Sequence, residues 1–184
     1  LTAAKDAGLS PVKVNAVLNT ASGLTDAVEL LSFCLKHGYQ LRIIEQMPLD
    51  AGHQWRRDTT LRADDIYEAL SGQFTLRPDP APRGSAPAQL WQVDGGPATV
   101  GIIASVSHAF CAACDRTRLT ADGQVRSCLF ATEETDLRAL LRSGADDDAV
   151  EARWRAAMWR KAAGHGINDP DFVQPQRPMS AIGG

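Results

Sequence analysis

Three of the four cysteines sit in one short stretch, and thiols that close together can do metal chemistry. Cys111-Ala112-Ala113-Cys114 puts two of them on a tight turn, and Cys128 follows an Asp122-Gly123 pair that can fold a hairpin. Thiolates crowded together repel unless a cation neutralises them, so an empty site would be costly. A structural zinc takes four protein ligands, and His108, just before Cys111, could be the fourth. A cubane iron–sulfur cluster can instead use three thiolates and leave one iron open to a substrate. An ordinary hydrogen-bonded loop histidine, or three unrelated thiols, are the plainer readings. Cys34, alone on the apolar side of a helical stretch, reads as a core residue.

Four cations could serve the same place. Arg116 and Arg118 follow Cys114, and alternation along a strand would turn both to one side. Lys13 and Arg42 sit on two strand-like runs, where a buried cation is expensive unless it meets an anion. Pairing with local carboxylates such as Glu45 is the plain alternative. Four cations converging on a cluster would suit a triphosphate.

The elements that must position these residues can be read in outline. The opening, Leu1-Thr2-Ala3-Ala4-Lys5-Asp6-Ala7-Gly8, is expected to be the tail of a helix cut in the middle, a sign of truncation. Residues 12–18 and 41–45 read as strands. Between them a helix capped by Thr25, with Asp26 and Glu29 in its first turn, carries Leu24, Val28, Leu31 and Leu35 on one face and stops at Gly38. Strands alternating with helices imply a parallel sheet, and two such strands alone imply that the rest of the sheet is missing. A helix is predicted over 63–70, a Pro/Gly/Ala-rich surface loop over 77–88 and an apolar strand over 99–105. Short strands at 117–120 and 124–128 flank the Asp122-Gly123 turn. Two helices then use Leu137, Leu140 and Leu141, and Val150, Trp154 and Met158. The second opens on Asp146, Asp147 and Asp148 and closes on Arg160, Lys161 and Gly164, an order that suits its dipole. The tail from residue 168 is expected to run extended over the surface.

Composition excludes little beyond extremes. A net charge of −3 gives no reason to expect nucleic acid or a membrane surface. No apolar run approaches the roughly 20 residues of a spanning helix. Without an export signal, clustered cysteines point to the cytoplasm and to metal rather than to disulfides.

The residues together resemble a known family. Phe110-Cys111-Ala112-Ala113-Cys114-Asp115-Arg116-Thr117-Arg118-Leu119-Thr120, then Asp122-Gly123, then Cys128-Leu129-Phe130, closely resemble the C-terminal cluster motif of the GTP 3′,8-cyclases, the MoaA family. Val12-Lys13-Val14-Asn15 and the run from Arg42 through Glu45 and Met47 to Asp50 resemble that family's late barrel strands. Gly183-Gly184 resembles its double-glycine tail.

The resemblance implies an α/β fold: residues 1–50 as the last βα units of a partial (β/α) radical-SAM barrel, and residues 51–184 as an α+β extension holding a cluster and GTP. It implies a lyase of molybdenum cofactor biosynthesis that converts GTP to (8S)-3′,8-cyclo-7,8-dihydroguanosine 5′-triphosphate. A first 4Fe–4S cluster cleaves S-adenosylmethionine in that family, and the resulting radical takes a ribose hydrogen. Cys111, Cys114 and Cys128 would bind a second 4Fe–4S cluster. Lys13, Arg42, Arg116 and Arg118 would contact GTP, Met47 would lie against S-adenosylmethionine, and Gly183 and Gly184 would enter the active site. Implied partners are the missing N-terminal radical-SAM half, a second copy in a homodimer and, functionally, cyclic pyranopterin monophosphate synthase. No CxxxCxxC occurs in the 184 residues, so the radical-generating half is expected elsewhere. From another class, a stand-alone zinc-stabilised nucleotide-binding module is the rival reading.

Overall fold

Apolar residues at alternate positions make strands of β1 (Lys13–Val17) and β2 (Gln40–Ile44), with helix α2 (Gly23–His37) between them and a short helix α1 (Thr2–Asp6) before them. The computed structural model describes residues 1–20 and 23–182. Two units emerge, one of Leu1–Met47 with Arg56–Phe110, the other of Pro48–Trp55 with the residues from Cys111 onward.

The first unit is a mixed α/β layer. Helix α3 (Ala63–Ser71) and strands β3 (Leu76–Pro78), β4 (Gln89–Val93) and β5 (Thr99–Ile103) complete it. The sheet runs β1-β2-β5-β4-β3, parallel across β1, β2 and β5 and antiparallel beyond. The parallel pair therefore does not end at β2 for want of a neighbour, as expected from sequence. The long crossover containing α3 returns β5 to β2's free edge, which satisfies its ladder. Gln89 to Val93, whose alternation follows the proline-rich loop, is a strand that sequence reading missed.

One face of this sheet meets the helices. Leu41, Ile43 and Val100 are fully buried there against Ala27, Leu31 and Cys34 of α2 and Ile66 and Leu70 of α3. Each fully buried leucine or isoleucine stabilises by roughly 1.5–3 kcal/mol. Helix α2 starts at Gly23, so Thr25 lies inside its first turn and is not the cap.

The end of β2 is fastened by a carboxylate. Glu45 is 1% exposed, and its oxygens accept hydrogen bonds from the N–H groups of Ala63 (2.7 Å), Val106 (2.7 Å) and Ser107 (2.8 Å) and from the Ser107 hydroxyl. It thereby ties β2 to the start of α3 and to the segment leaving β5. Its lone pairs go to these donors, and it is not the counter-ion for Lys13 or Arg42 that the sequence suggested.

The second unit is built on shorter pieces: β6 (Arg118–Leu119), β7 (Gln124–Arg126) and β8 (Thr135–Asp136) form an antiparallel sheet, followed by α4 (Arg138–Arg142) and α5 (Asp147–Trp159). Gly123 makes the predicted turn with φ +80°, and a Cβ there would stand 2.6 Å from that of Arg138. Asp146 caps α5 by accepting from the Ala149 N–H at 2.9 Å. Val125, Leu137 and Ala157 form a small core with Trp154 and Met158 at its margin. Leu141 is 56% exposed, so the expected leucine stripe of α4 does not all face inward.

The tail is tied down rather than loosely extended. Arg177 Nη2 lies 2.7 Å from Asp122 and 2.9 Å from Glu134, while Glu134 also meets the buried Arg126 at 2.5 Å. Met179 N–H donates to Leu49 O at 2.9 Å, and Ile182 is buried. The Gly183 and Gly184 expectation falls outside the described residues. Among those described, no helix is long and apolar enough to cross a membrane.

Candidate functional site

Tight local turns bring the thiols into position. Cys111–Ala113 forms one turn of 3-10 helix, closed by the Cys114 N–H donating to Cys111 O at 3.1 Å. Cys128 lies two residues beyond β7 in the bend after the hairpin. The predicted strand reaching Cys128 is thus shorter, because β7 stops pairing at Arg126. Cys111 and Cys114 both lie within electrostatic reach of Cys128, and Cys114 and Cys128 shift in opposite directions.

Burial alone would raise the Cys114 thiol. Hydrogen bonds from the Arg116 backbone and side chain, and the charges of Arg116 and Lys161, outweigh it and leave the pKa below the ordinary value. Arg116 Nε and Nη2 each stand 3.4 Å from Cys114 Sγ, and Lys161 Nζ stands 3.5 Å away. Cys128 moves the other way. Burial pushes its thiol up, and Cys111 and Cys114 push it further, against a hydrogen bond from the Phe130 N–H at 3.4 Å and the charge of Lys161. A cation among the three sulfurs would relieve that repulsion. Among the described residues, no three His, Cys, Asp or Glu side chains form a cage for a metal ion.

Arg118 is half-buried in β6. Burial and the like charge of Arg116 lower its pKa, while Cys128 and Cys114 pull it back. Arg116 precedes β6 and does not alternate with Arg118 along a strand, yet both stand beside the thiols. Cys128 also borders a cavity of about 400 Å³ whose wall includes Phe130, Arg160 and His165.

Lys13 and Arg42 belong to the first unit. The register pairs Lys13 with Gln40 and Asn15 with Arg42, so Lys13 and Arg42 share the sheet face opposite the helices. Lys13 is exposed, so the argument from strand burial fails for it. It holds for Arg42, whose Nε is buried without a hydrogen-bond partner. Arg42 lies across Gly101 of β5, where a Cβ would come within 3.2 Å of its Cγ. Met47 is half-buried just past β2. His108, weighed as a zinc ligand, has its Nε2 2.9 Å from the Asp64 carboxylate. Cys34 is fully buried in the core as expected, and burial pushes its thiol up.

Sequence reading missed three actors. Glu45 was noticed only as a counter-ion, Lys161 only as a charge at a helix end, and Arg177 not at all. The first had a legible signal, a carboxylate inside a strand that must be satisfied; the other two depend on long-range contacts.

Comparison with known proteins agrees with the cysteine motif. The sequence model of the family described as Molybdenum Cofactor Synthesis C matches residues 39–167. The whole chain is 73% identical to the GTP 3',8-cyclase 2 of Mycobacterium tuberculosis, covering 52% of it. It is 76% identical to the GTP 3',8-cyclase of a Mycobacterium species (strain KMS), covering 53%, and 73% identical to that of Mycobacterium marinum, covering 52%. The chain spans about half the length of the curated relatives it matches. With the matched stretch running from before β2 to beyond α5, the chain belongs to the Molybdenum Cofactor Synthesis C family.

Proposed function

We propose that this chain supplies the substrate-holding part of a GTP 3′,8-cyclase, the lyase that makes (8S)-3′,8-cyclo-7,8-dihydroguanosine 5′-triphosphate from GTP. The observation that carries this reading is the company Cys111, Cys114 and Cys128 keep: two thiols in reach of the third, with Arg116, Arg118 and Lys161 around them. The donor set fits a 4Fe–4S cluster. Each thiolate of a cluster binds a different iron, so the sulfurs need not crowd as they do round one ion. When bound, such a cluster supplies one iron without a protein ligand as a grip for the purine.

The chain's own residues do the rest. Arg116 and Arg118 hold the nucleotide's anionic oxygens by charge-assisted hydrogen bonds. Arg42, with a buried donor lacking a partner, and Lys13 on the same sheet face, are further phosphate contacts. Met47 lies against S-adenosylmethionine. Residues 1–50, with strands β1 and β2, correspond to the last βα units of a partial (β/α) barrel, and residues 51–184 to the extension. The radical-generating cluster, a homodimer and the next pathway enzyme, cyclic pyranopterin monophosphate synthase, complete the proposal.

The experiment is GTP binding to the anaerobically reconstituted chain. Arg116→Ala and Arg118→Ala should each weaken binding by about 1.5–3 kcal/mol, the worth of hydrogen bonds to charged groups, with the cluster's absorption unchanged. Unchanged affinity in both variants would remove these arginines from the nucleotide site.

A further inference from the structure

The structure assigns Lys161 a role that the cysteine motif does not announce. We propose that it is a positioning residue, bridging the Cys114 thiolate to the backbone beside Arg116 and thereby setting how tightly the cluster is held and how readily it is reduced. The inference rests on the cluster reading above.

Lys161 follows the end of α5, its N–H donating to Met158 O at 3.0 Å. Its ammonium reaches back to the cysteine turn, with Nζ 2.8 Å from Arg116 O and 3.5 Å from Cys114 Sγ. An ammonium has three donors, and here two of them are directed at points two residues apart where the chain leaves the cysteine turn. The carbonyl contact fixes the backbone that carries Arg116, whose guanidinium donates to the same sulfur. α5 is in turn anchored on the hairpin through Ala157 against Val125. Lys161 therefore links a packed helix to a turn that has little packing of its own.

Two consequences follow from charge and hydrogen bonding. An N–H pointing at a ligating sulfur drains electron density from it and orients it, as outer-shell partners of metal ligands do. A nearby positive charge favours the reduced cluster, which carries one more electron, over the oxidised one. Loss of Lys161 must then lower the midpoint potential and loosen the metal. A lysine serving only the dipole of α5 would do neither.

The test is an EPR-monitored redox titration of the anaerobically reconstituted chain, with iron loss to a chelator timed in parallel. Lys161→Met should lower the midpoint potential and lose iron about 10-fold faster, the low end for outer-shell replacements. Lys161→Arg should restore both, because it keeps charge and donors. Lys161→Gln should restore retention more than potential, because it keeps a donor without the charge. If Lys161→Met takes up no cluster, Lys161→Gln carries the measurement. Wild-type potential and retention in Lys161→Met would overturn the role of Lys161 alone. A wild-type chain that takes up no iron would overturn the cluster reading itself.

Discussion

The two units hold themselves together by different means. The first has four five-residue strands side by side, two helices on one face and an apolar core centred on Leu31, Leu41, Ile66 and Leu70. Its buried carboxylate, Glu45, is satisfied almost wholly by backbone donors. The second unit's strands are two or three residues long, and a ladder that short supplies few hydrogen bonds. It relies on ion pairs from Arg126 through Glu134 and Arg177 to Asp122, and on a cysteine turn crowded with cations. The difference teaches where to look for chemistry. A unit fastened by polar contacts around a loop keeps its side chains available to ligands, and a bound metal can supply folding energy that a small core cannot.

Breaking the first unit's carboxylate clamp should have the largest effect on stability. Glu45→Ala leaves the buried N–H groups of Ala63 and Val106 without acceptors, each worth about 1–3 kcal/mol, so a loss of about 2–6 kcal/mol is expected by denaturant unfolding. Glu45→Gln should recover only part, since its amide turns donors toward donors. A Glu45→Ala chain as stable as the parent would show that packing alone fixes this unit.

Breaking the second unit's ion pairs should cost less and depend on pH. The Arg177 hydrogen bond, with one from Thr120, holds the Asp122 carboxyl down from 3.8 to about 2. A carboxyl depressed in the folded state stabilises above its unfolded pKa and ceases to as pH falls through the folded one. The stability gap between the parent and Arg177→Ala should be full above about pH 4 and close as pH falls toward 2. A gap that persists unchanged at pH 2 would mean Arg177 acts through packing instead.

How far these features were legible from sequence follows from their range. Helix α3, strands β1, β2 and β5, the Asp122-Gly123 turn and the Asp146 helix start were readable because local periodicity and turn residues specify them. The joining of β5 to β2 was not, since pairing across a crossover leaves no local mark. β4 was hidden behind its proline-rich neighbour, and β8 is too short to show a period. At the site, type and spacing singled out the three cysteines and Arg118; Cys111, Cys114 and Arg118 lie within electrostatic reach of Cys128. Arg116 reached the right neighbourhood by the wrong argument, since it lies outside the strand. Lys161 and Arg177 meet their partners across 47 and 55 residues of sequence, which no motif spans.

The most direct measurement is iron, sulfide and zinc analysis of the chain prepared without oxygen, beside Cys111→Ala, Cys114→Ala and Cys128→Ala. The account predicts about four irons and four sulfides per parent chain and loss of the cluster in each variant. Stoichiometric zinc without iron in the parent, or a full cluster surviving in all three variants, would contradict it.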